Sequence, residues 1–107
     1  MQGYDIIQRL EGILAESQTM LAAATEGRWD DLIELEVARR ASVLEIAATQ
    51  AAIPDAALQE RKKNLVRDIL AADAQTKTLT EAWMSEIQSV LTSVQAERKL
   101  IRAYESV

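Results

Sequence analysis

The sequence predicts an all-α fold, an antiparallel bundle of three longer helices followed by a short C-terminal fourth helix, in a single domain over residues 1–107. Apolar residues recur every three or four positions along most of the chain. Gly and Pro number only 3 and 1, and aromatic residues make up 4% of the chain. An all-β fold would need more turns and more aromatic or β-branched residues. The apolar fraction of 49% is therefore expected to form an aliphatic helical core.

The first predicted helix covers residues 4–25 and carries one broad apolar stripe. The stripe consists of Ile7, Leu10, Leu14, Ser17, Leu21 and Ala24, widened by Ile6, Ile13 and Met20. Gly12 lies inside this helix, where the close approach of a neighbouring helix could explain it. Gly27 is suited to the left-handed conformation that follows a helix terminus.

The second predicted helix covers residues 31–49, with Asp30 as its N-cap. The short connection to the first helix implies that the two are antiparallel neighbours. The middle of the second helix is polar. An ion pair from Glu36 to either Arg39 or Arg40 would offset that polarity.

Pro54 marks the next break and precedes a third predicted helix over residues 56–91. No Gly or Pro follows it, but one helix reaching residue 104 would be roughly 70 Å long. Because the first two helices would each measure only about 30 Å, a break is expected. Thr92 and Gln95 fit a Thr-x-x-Gln capping box, so a short fourth helix is predicted over residues 93–104.

Composition excludes several classes of function. The chain has no His and no Cys, which rules out imidazole-based triads, zinc sites built on Cys and His, and thiol nucleophiles. We therefore expect no enzyme activity and no cofactor. A net charge of −5 argues against direct binding of nucleic acid. No apolar run approaches the ~18 residues that span a membrane, and the N-terminus does not have the basic and apolar pattern of a secretory signal. The absence of Cys is consistent with a reducing cytoplasm.

A second row of residues lies beside the main apolar stripe of the third helix. Val66, Leu70, Asp73 and Lys77 are spaced four, three and four positions apart and share one face. A mixed apolar and polar row of this kind suits a groove that receives a partner helix. Alternatively, Val66 and Leu70 merely widen the core face. Periodicity leaves both interpretations open.

The two tryptophans also allow two interpretations. Trp29 and Trp83 are predicted to anchor the core. The alternative is that they are exposed at an interface, where Trp is often a binding hot spot.

A set of motifs runs in order along nearly the whole chain. The first is the run from Ser17 to Leu32, with Gly-x-Trp-Asp-x-Leu at its end and Glu36 after it. The later ones are Ile69-Leu70, Lys77, Leu79, Met84-x-Glu86-Ile87, Gln95 and Ala103-Tyr104. Each is weak alone, but in this order and spacing they resemble the FliT family of flagellar export chaperones.

The resemblance implies a cytoplasmic helical bundle that binds the C-terminal helical region of the filament cap protein, FliD. Such a chaperone keeps the subunit unassembled and delivers it to the export apparatus. Family members can also bind the export ATPase complex, and in some bacteria one restrains the flagellar master transcriptional activator. The family's binding surface lies largely on the third helix and matches Val66, Leu70 and Lys77 here, with Asp73 in an acidic position.

In the family the C-terminal segment can fold back and limit partner binding. The matching segment is 92–107, and the resemblance implies Leu100, Ile101 and Tyr104 as its lid contacts. A hypothesis of a different class is a structural coiled-coil or dimerisation module without an export client, in which the third helix packs against its own copy in a homodimer.

Overall fold

The computed structural model describes residues 3–49, 53 and 55–106. Over these residues the chain forms three helices and no strand: α1 (Gly3–Thr25), α2 (Trp29–Ala47) and α3 (Ala56–Glu105). The predicted all-α class is confirmed. The described residues up to Lys77 and those from Thr78 onward form two compact units.

The turn between α1 and α2 is a Schellman motif, and Gly27 occupies its left-handed position with φ of 72°. The Arg28 N–H donates to the carbonyl of Ala23 at 2.8 Å, and the Gly27 N–H donates to that of Ala24 at 3.2 Å. These two bonds satisfy carbonyls that a helix end leaves without partners. The chain therefore reverses within three residues, and Gly27 has the role that the sequence predicts.

Side-chain pairs between α1 and α2 show that these two helices are antiparallel. Arg9 near the start of α1 pairs with Glu45 near the end of α2. Farther along α1, Ser17 accepts a hydrogen bond from Arg39, which lies earlier in α2. Residue numbers thus rise along α1 as they fall along α2, as the short connection predicts.

The core of the first unit is aliphatic. Its cluster of buried residues consists of Ile6, Ile7, Leu10, Ile13, Ile53, Leu65 and Ile69. Leu14, Ile46 and Leu58 are partly buried against it. The predicted stripe of α1 is largely buried, although Leu14 and Leu21 at its edge are only half-buried.

Helix α2 begins two residues earlier than predicted, at Trp29, and ends at Ala47. Asp30 is therefore not the N-cap. Arg28 occupies that position without a side-chain capping bond. The reason is that the Schellman turn is complete at Arg28, so the chain enters the next helix at once. Asp30 and Asp31 lie in the first turn, where acids complement the helix dipole.

Helix α3 begins at Ala56 because Asp55 caps it: the Leu58 N–H donates to Asp55 Oδ1 at 3.0 Å. Pro54, which was predicted to mark this break, lies outside the described residues. Residue 53 is the buried Ile53 of the core cluster.

The predicted break at residues 92–95 is wrong, and no separate fourth helix exists over residues 93–104. Helix α3 runs uninterrupted from Ala56 to Glu105. The Thr92 hydroxyl donates to the carbonyl of Gln88 at 2.9 Å, which is the bond of a Thr inside a helix. An N-cap side chain would instead accept from a backbone N–H.

The second unit contains the continuation of α3. Leu79, Thr80 and Trp83 are half-buried, and every described side chain from Met84 onward is exposed. Among the described parts of the chain, no helix is both long enough and apolar enough to cross a membrane.

Candidate functional site

The predicted binding row lies in the first half of α3, beside the core. Leu65 and Ile69 are buried, whereas Leu70, one position on from Ile69, is 62% exposed. Val66 is less exposed than Leu70, at 37%. Leu70 thus contributes little to the core, so the interpretation that it merely widens the core face does not fit. The binding role of the row stays a prediction.

Asp73, the acidic member of the row, is tied to the other two helices. Arg39 of α2 donates from Nη1 to Asp73 Oδ1 at 2.5 Å, and the same nitrogen donates to Ser17 Oγ of α1 at 2.7 Å. Ser17 is fully buried. Asp73 therefore links α3 to α2 and is only partly available to a partner. Lys77, one turn farther along, is exposed.

The two arginines in the polar middle of α2 pair with different carboxylates. Arg40 makes the predicted intrahelical pair, with two hydrogen bonds to the Glu36 carboxylate at 2.7 and 2.9 Å. These bonds, and then the attraction of the Glu36 charge, raise the pKa of Arg40 above its usual value. Arg39 instead points between helices to Asp73. Sequence analysis missed this contact because the two residues are 34 positions apart.

Helix α2 also has an exposed apolar face. Ile33, Val37 and Leu44 share this face, with exposures of 59%, 56% and 63%. On the opposite face Leu32 is buried and Leu35 is half-buried. Their spacing of four and seven positions places the three residues on one face, but it does not show that this face points away from the core.

The three predicted lid residues lie near the C-terminal end of α3. Leu100, Ile101 and Tyr104 are all exposed. They belong to a longer set of exposed apolar residues in the second unit: Met84, Ile87, Val90, Leu91, Val94, Leu100, Ile101 and Tyr104. The lid role of the last three stays a prediction.

A shallow depression of about 250 Å³ lies on the second unit. It is lined by Trp83, Glu86, Ile87, Val90 and Leu91. Four of these five side chains are apolar, and the depression follows one face of a helix. Such a surface suits the side chains of an apposed helix better than it suits a small polar ligand.

The tryptophans are neither fully buried nor fully exposed. Trp29 at the start of α2 and Trp83 in α3 are both half-buried. The core-anchor prediction thus applies to part of each side chain, and each keeps an exposed edge.

Titratable groups do not gather into a catalytic or metal centre in the described part of the chain, where no three acidic side chains could share a metal ion. At the Schellman turn Arg28 pairs with Asp31 at 2.8 Å and with Glu26 at 2.6 Å. The hydrogen bond to Asp31, followed by that to Glu26, raises the pKa of Arg28. These carboxylates are paired with a cation at the surface, which is an arrangement typical of structural ion pairs.

Comparison with known proteins identifies the family of this sequence. The family model for flagellar protein FliT matches residues 7–106. Flagellar protein FliT of Cronobacter sakazakii is 33% identical over 95 residues, which cover 88% of this chain and 78% of the relative. Flagellar protein FliT of Escherichia coli O9:H4 is 32% identical over 93 residues, covering 86% of this chain and 77% of the relative.

Flagellar protein FliT of Shigella sonnei matches with the same identity and coverage as the Escherichia coli protein. No solved structure matches the chain. The family model spans both units, and it includes the Schellman turn, the Val66–Lys77 row and the exposed C-terminal part of α3. This chain therefore belongs to the FliT family of flagellar proteins.

Proposed function

We propose that this protein is a cytoplasmic flagellar export chaperone that binds the C-terminal helical region of the filament cap protein, FliD. It keeps that subunit from assembling before export and delivers it to the export apparatus. Membership of the FliT family supports a role in flagellar export. The finer assignment to one client and one surface is our proposal.

The observation that carries the proposal is the exposure of Leu70 beside a buried core. Leu70 shares one face of α3 with Val66 and Lys77. Burying a leucine of this kind against a partner contributes on the order of 1–3 kcal/mol. A subunit that polymerises through amphipathic terminal helices exposes an apolar stripe before assembly, and an aliphatic row can cover that stripe reversibly.

Lys77 and Asp73 give the row its polar end. Asp73 is paired with Arg39, and Lys77 is the exposed cation of the row. We therefore expect the client helix to carry an acidic residue about two turns from its main apolar anchor. Charge placed in this way sets the orientation of the client more than its affinity.

Titration calorimetry with the C-terminal peptide of the cap protein from the same genome tests the proposal. Leu70→Asp is expected to abolish binding, because a carboxylate would be buried against the apolar stripe of the client. Leu44→Asp on α2 is the matched control, since the exposure of Leu44 is 63% and that of Leu70 is 62%. Binding by the Leu70→Asp protein at wild-type strength would overturn the site assignment.

The lid is a separate part of the proposal. Because α3 is one continuous helix, Leu100, Ile101 and Tyr104 would cover the client site only in molecules in which α3 opens between Lys77 and Leu100, and would lower the apparent affinity by that fraction. Leu100→Asp in the full chain is expected to strengthen binding of the cap peptide. Unchanged affinity would reject the lid and leave the chaperone assignment intact.

Two further partners follow from the resemblance alone. We propose the export ATPase complex as the acceptor of the loaded chaperone. The flagellar master transcriptional activator is the second candidate client. Pull-down with purified components, with and without the cap peptide, distinguishes these two roles. The export ATPase complex should bind the chaperone when the cap peptide is present, whereas the transcriptional activator should be displaced by that peptide.

A further inference from the structure

The first turns of α3 concentrate positive charge in a chain whose net charge is −5. Residues 61–67 contain four of the 12 basic residues of the chain and no acidic residue. The four are Arg61, Lys62, Lys63 and Arg67, and all of them are exposed. This basic segment ends three positions before Leu70, the exposed apolar residue of the proposed client site.

Two of these cations share a face of α3 with the exposed apolar residues. Lys63 lies seven positions before Leu70, and Arg67 lies three positions before it. Residues three, four and seven positions apart lie on one side of an α-helix. We call Lys63 and Arg67 the basic edge. The basic edge and the apolar residues Val66 and Leu70 therefore form one continuous surface on α3.

Both cations of the basic edge are available to a partner. Lys63 is exposed and is not paired with any acid in the described part of the chain. The Arg67 side chain is 70% exposed, and its Nη2 lies 3.5 Å from Asp68 Oδ1. An exposed ion pair of this length contributes little, so a carboxylate of a partner can replace it. Arg61 differs, because its Nη2 lies 3.6 Å from Glu11 Oε1 of α1.

We propose that the basic edge binds acidic side chains on the flank of the client helix, beside the apolar stripe that covers Val66 and Leu70. A helix packed on these two residues brings its flanking side chains next to Lys63 and Arg67. Acidic side chains complement the two charges, whereas basic ones are repelled. The inference deepens the proposed function, on which it rests for the identity of the client, by giving that client a chemistry: an acidic amphipathic helix.

The apolar residues between the cations favour a protein helix over nucleic acid as the occupant. A phosphate backbone is bound by a broad basic surface and gains nothing from an exposed leucine. The acidic residues Glu60 and Asp68 also flank the basic segment in the chain, and they would repel phosphates that extend beyond it. An amphipathic helix matches both the leucine and the cations.

Three labelled helical peptides test the basic edge without assuming the identity of the client. All carry the same leucine stripe, and its flank carries Glu, Gln or Lys. Fluorescence anisotropy at low salt should show that wild-type protein binds the Glu peptide about tenfold more tightly than the Gln peptide. A protein with both Lys63→Glu and Arg67→Glu should instead prefer the Lys peptide. No binding of the Glu peptide, or equal binding of the Glu and Gln peptides by wild-type protein, would overturn the proposal.

A matched variant controls for net charge. Arg98→Glu combined with Lys99→Glu changes the charge by the same amount at two exposed positions of the second unit. This protein should keep the preference for the Glu peptide, and loss of the preference in both double variants would overturn the assignment to the basic edge. Single-stranded DNA of random sequence is the second control. Binding of that DNA as tight as binding of the Glu peptide would indicate a general polyanion site and overturn the proposal.

Salt dependence gives a measurement that needs no variant. At about 1 M salt, where charges are screened beyond about 3 Å, wild-type protein should bind the Glu and Gln peptides equally. A preference that persists at this salt concentration would exclude charge as its cause and overturn the proposal.

The cap-protein peptide separates this inference from the proposed function. In stopped-flow mixing, the Lys63→Glu, Arg67→Glu protein should associate with the peptide about tenfold more slowly, because exposed charges act mainly on association. Leu70→Ala should mainly speed dissociation. An association rate unchanged by the double substitution would overturn the basic edge and leave the chaperone role in place. Failure of wild-type protein to bind the cap peptide, with its preference for the Glu peptide intact, would reject the client and support the basic edge.

Discussion

Arg39 on α2 donates through one guanidinium nitrogen both to Asp73 on α3, at 2.5 Å, and to Ser17 on α1, at 2.7 Å. The Arg39 side chain is only 16% exposed and that of Asp73 is 33% exposed. A partly buried charge requires a partner, so this contact fixes where along α2 the first half of α3 lies. The network connects all three helices of the first unit through polar groups beside an aliphatic core.

Removing the Asp73 carboxylate should destabilise the first unit. Asp73→Ala leaves the Arg39 guanidinium without its anion, and we expect a loss of about 1–2 kcal/mol, because partial exposure lets water replace part of the interaction. Urea unfolding followed by circular dichroism measures this loss. Glu36→Ala, which breaks the exposed pair with Arg40, is the control and should change stability by less than about 0.5 kcal/mol. Equal effects of the two substitutions would contradict a structural role for Arg39–Asp73.

This result also bears on binding experiments at the row. Because Asp73 contributes to the fold, weaker client binding by an Asp73 variant would have two explanations. Lys77 is exposed, so its replacement by alanine should disturb the packing of the first unit less than replacement of Asp73. The binding row is therefore better tested at Leu70 and Lys77.

Leu65 and Leu70 form a matched pair on one helix with opposite environments. Leu65 is fully buried and Leu70 is 62% exposed. Leu65→Ala should lower the free energy of unfolding by about 2–5 kcal/mol, because it removes core contacts and leaves a cavity. Leu70→Ala should change it by less than about 0.5 kcal/mol. A comparable loss from both substitutions in urea unfolding would show that Leu70 belongs to the core.

Helix α1 and the turn after it were predictable because their determinants are local. The stripe containing Leu10 and Ser17 lies on one face of a single helix, and Gly27 alone supplies the left-handed residue of the turn. Helix α2 was less predictable. Its apolar residues fall on two faces, and a list of apolar positions does not show that Ile33 and Leu44 face away from the core.

Two other features could not be predicted from local pattern. The Arg39–Asp73 contact depends on how two helices pack, and either of two arginines could have paired with Glu36. The break near Thr92 was predicted from length, on the assumption that apolar residues such as Val94 and Ile101 must be buried. That assumption is wrong, because these side chains are exposed. With no Gly or Pro after residue 54, nothing in the local sequence ends the helix.

Replacing Gly27 and Gly12 by alanine should change the stability of the protein in opposite directions. Gly27→Ala places a side chain in a left-handed conformation and should destabilise the protein by about 1–2 kcal/mol. Gly12 is exposed in the middle of α1, and a Cβ added there would meet no neighbouring atom within 4 Å, so no adjacent helix explains it. Gly12→Ala should therefore stabilise the protein by about 1 kcal/mol. Thermal unfolding of both variants measures these changes in stability. Destabilisation by Gly12→Ala would contradict the open space around Gly12.

Thr92→Ala distinguishes a continuous α3 from a helix that restarts at residue 92. If Thr92 were an N-cap, its loss would cost about 1 kcal/mol and lower the helical content near the C-terminus. In the observed helix its hydroxyl bonds back to Gln88, and alanine has the higher helix propensity. We therefore expect Thr92→Ala to leave stability unchanged or raise it by about 0.5 kcal/mol, with slower amide hydrogen exchange over residues 92–100. Thr19→Ala in α1, where the hydroxyl makes the same backward bond to Ala15, is the control and should behave alike. Faster amide hydrogen exchange in the Thr92→Ala variant alone would indicate that Thr92 caps a separate helix, as the sequence predicted.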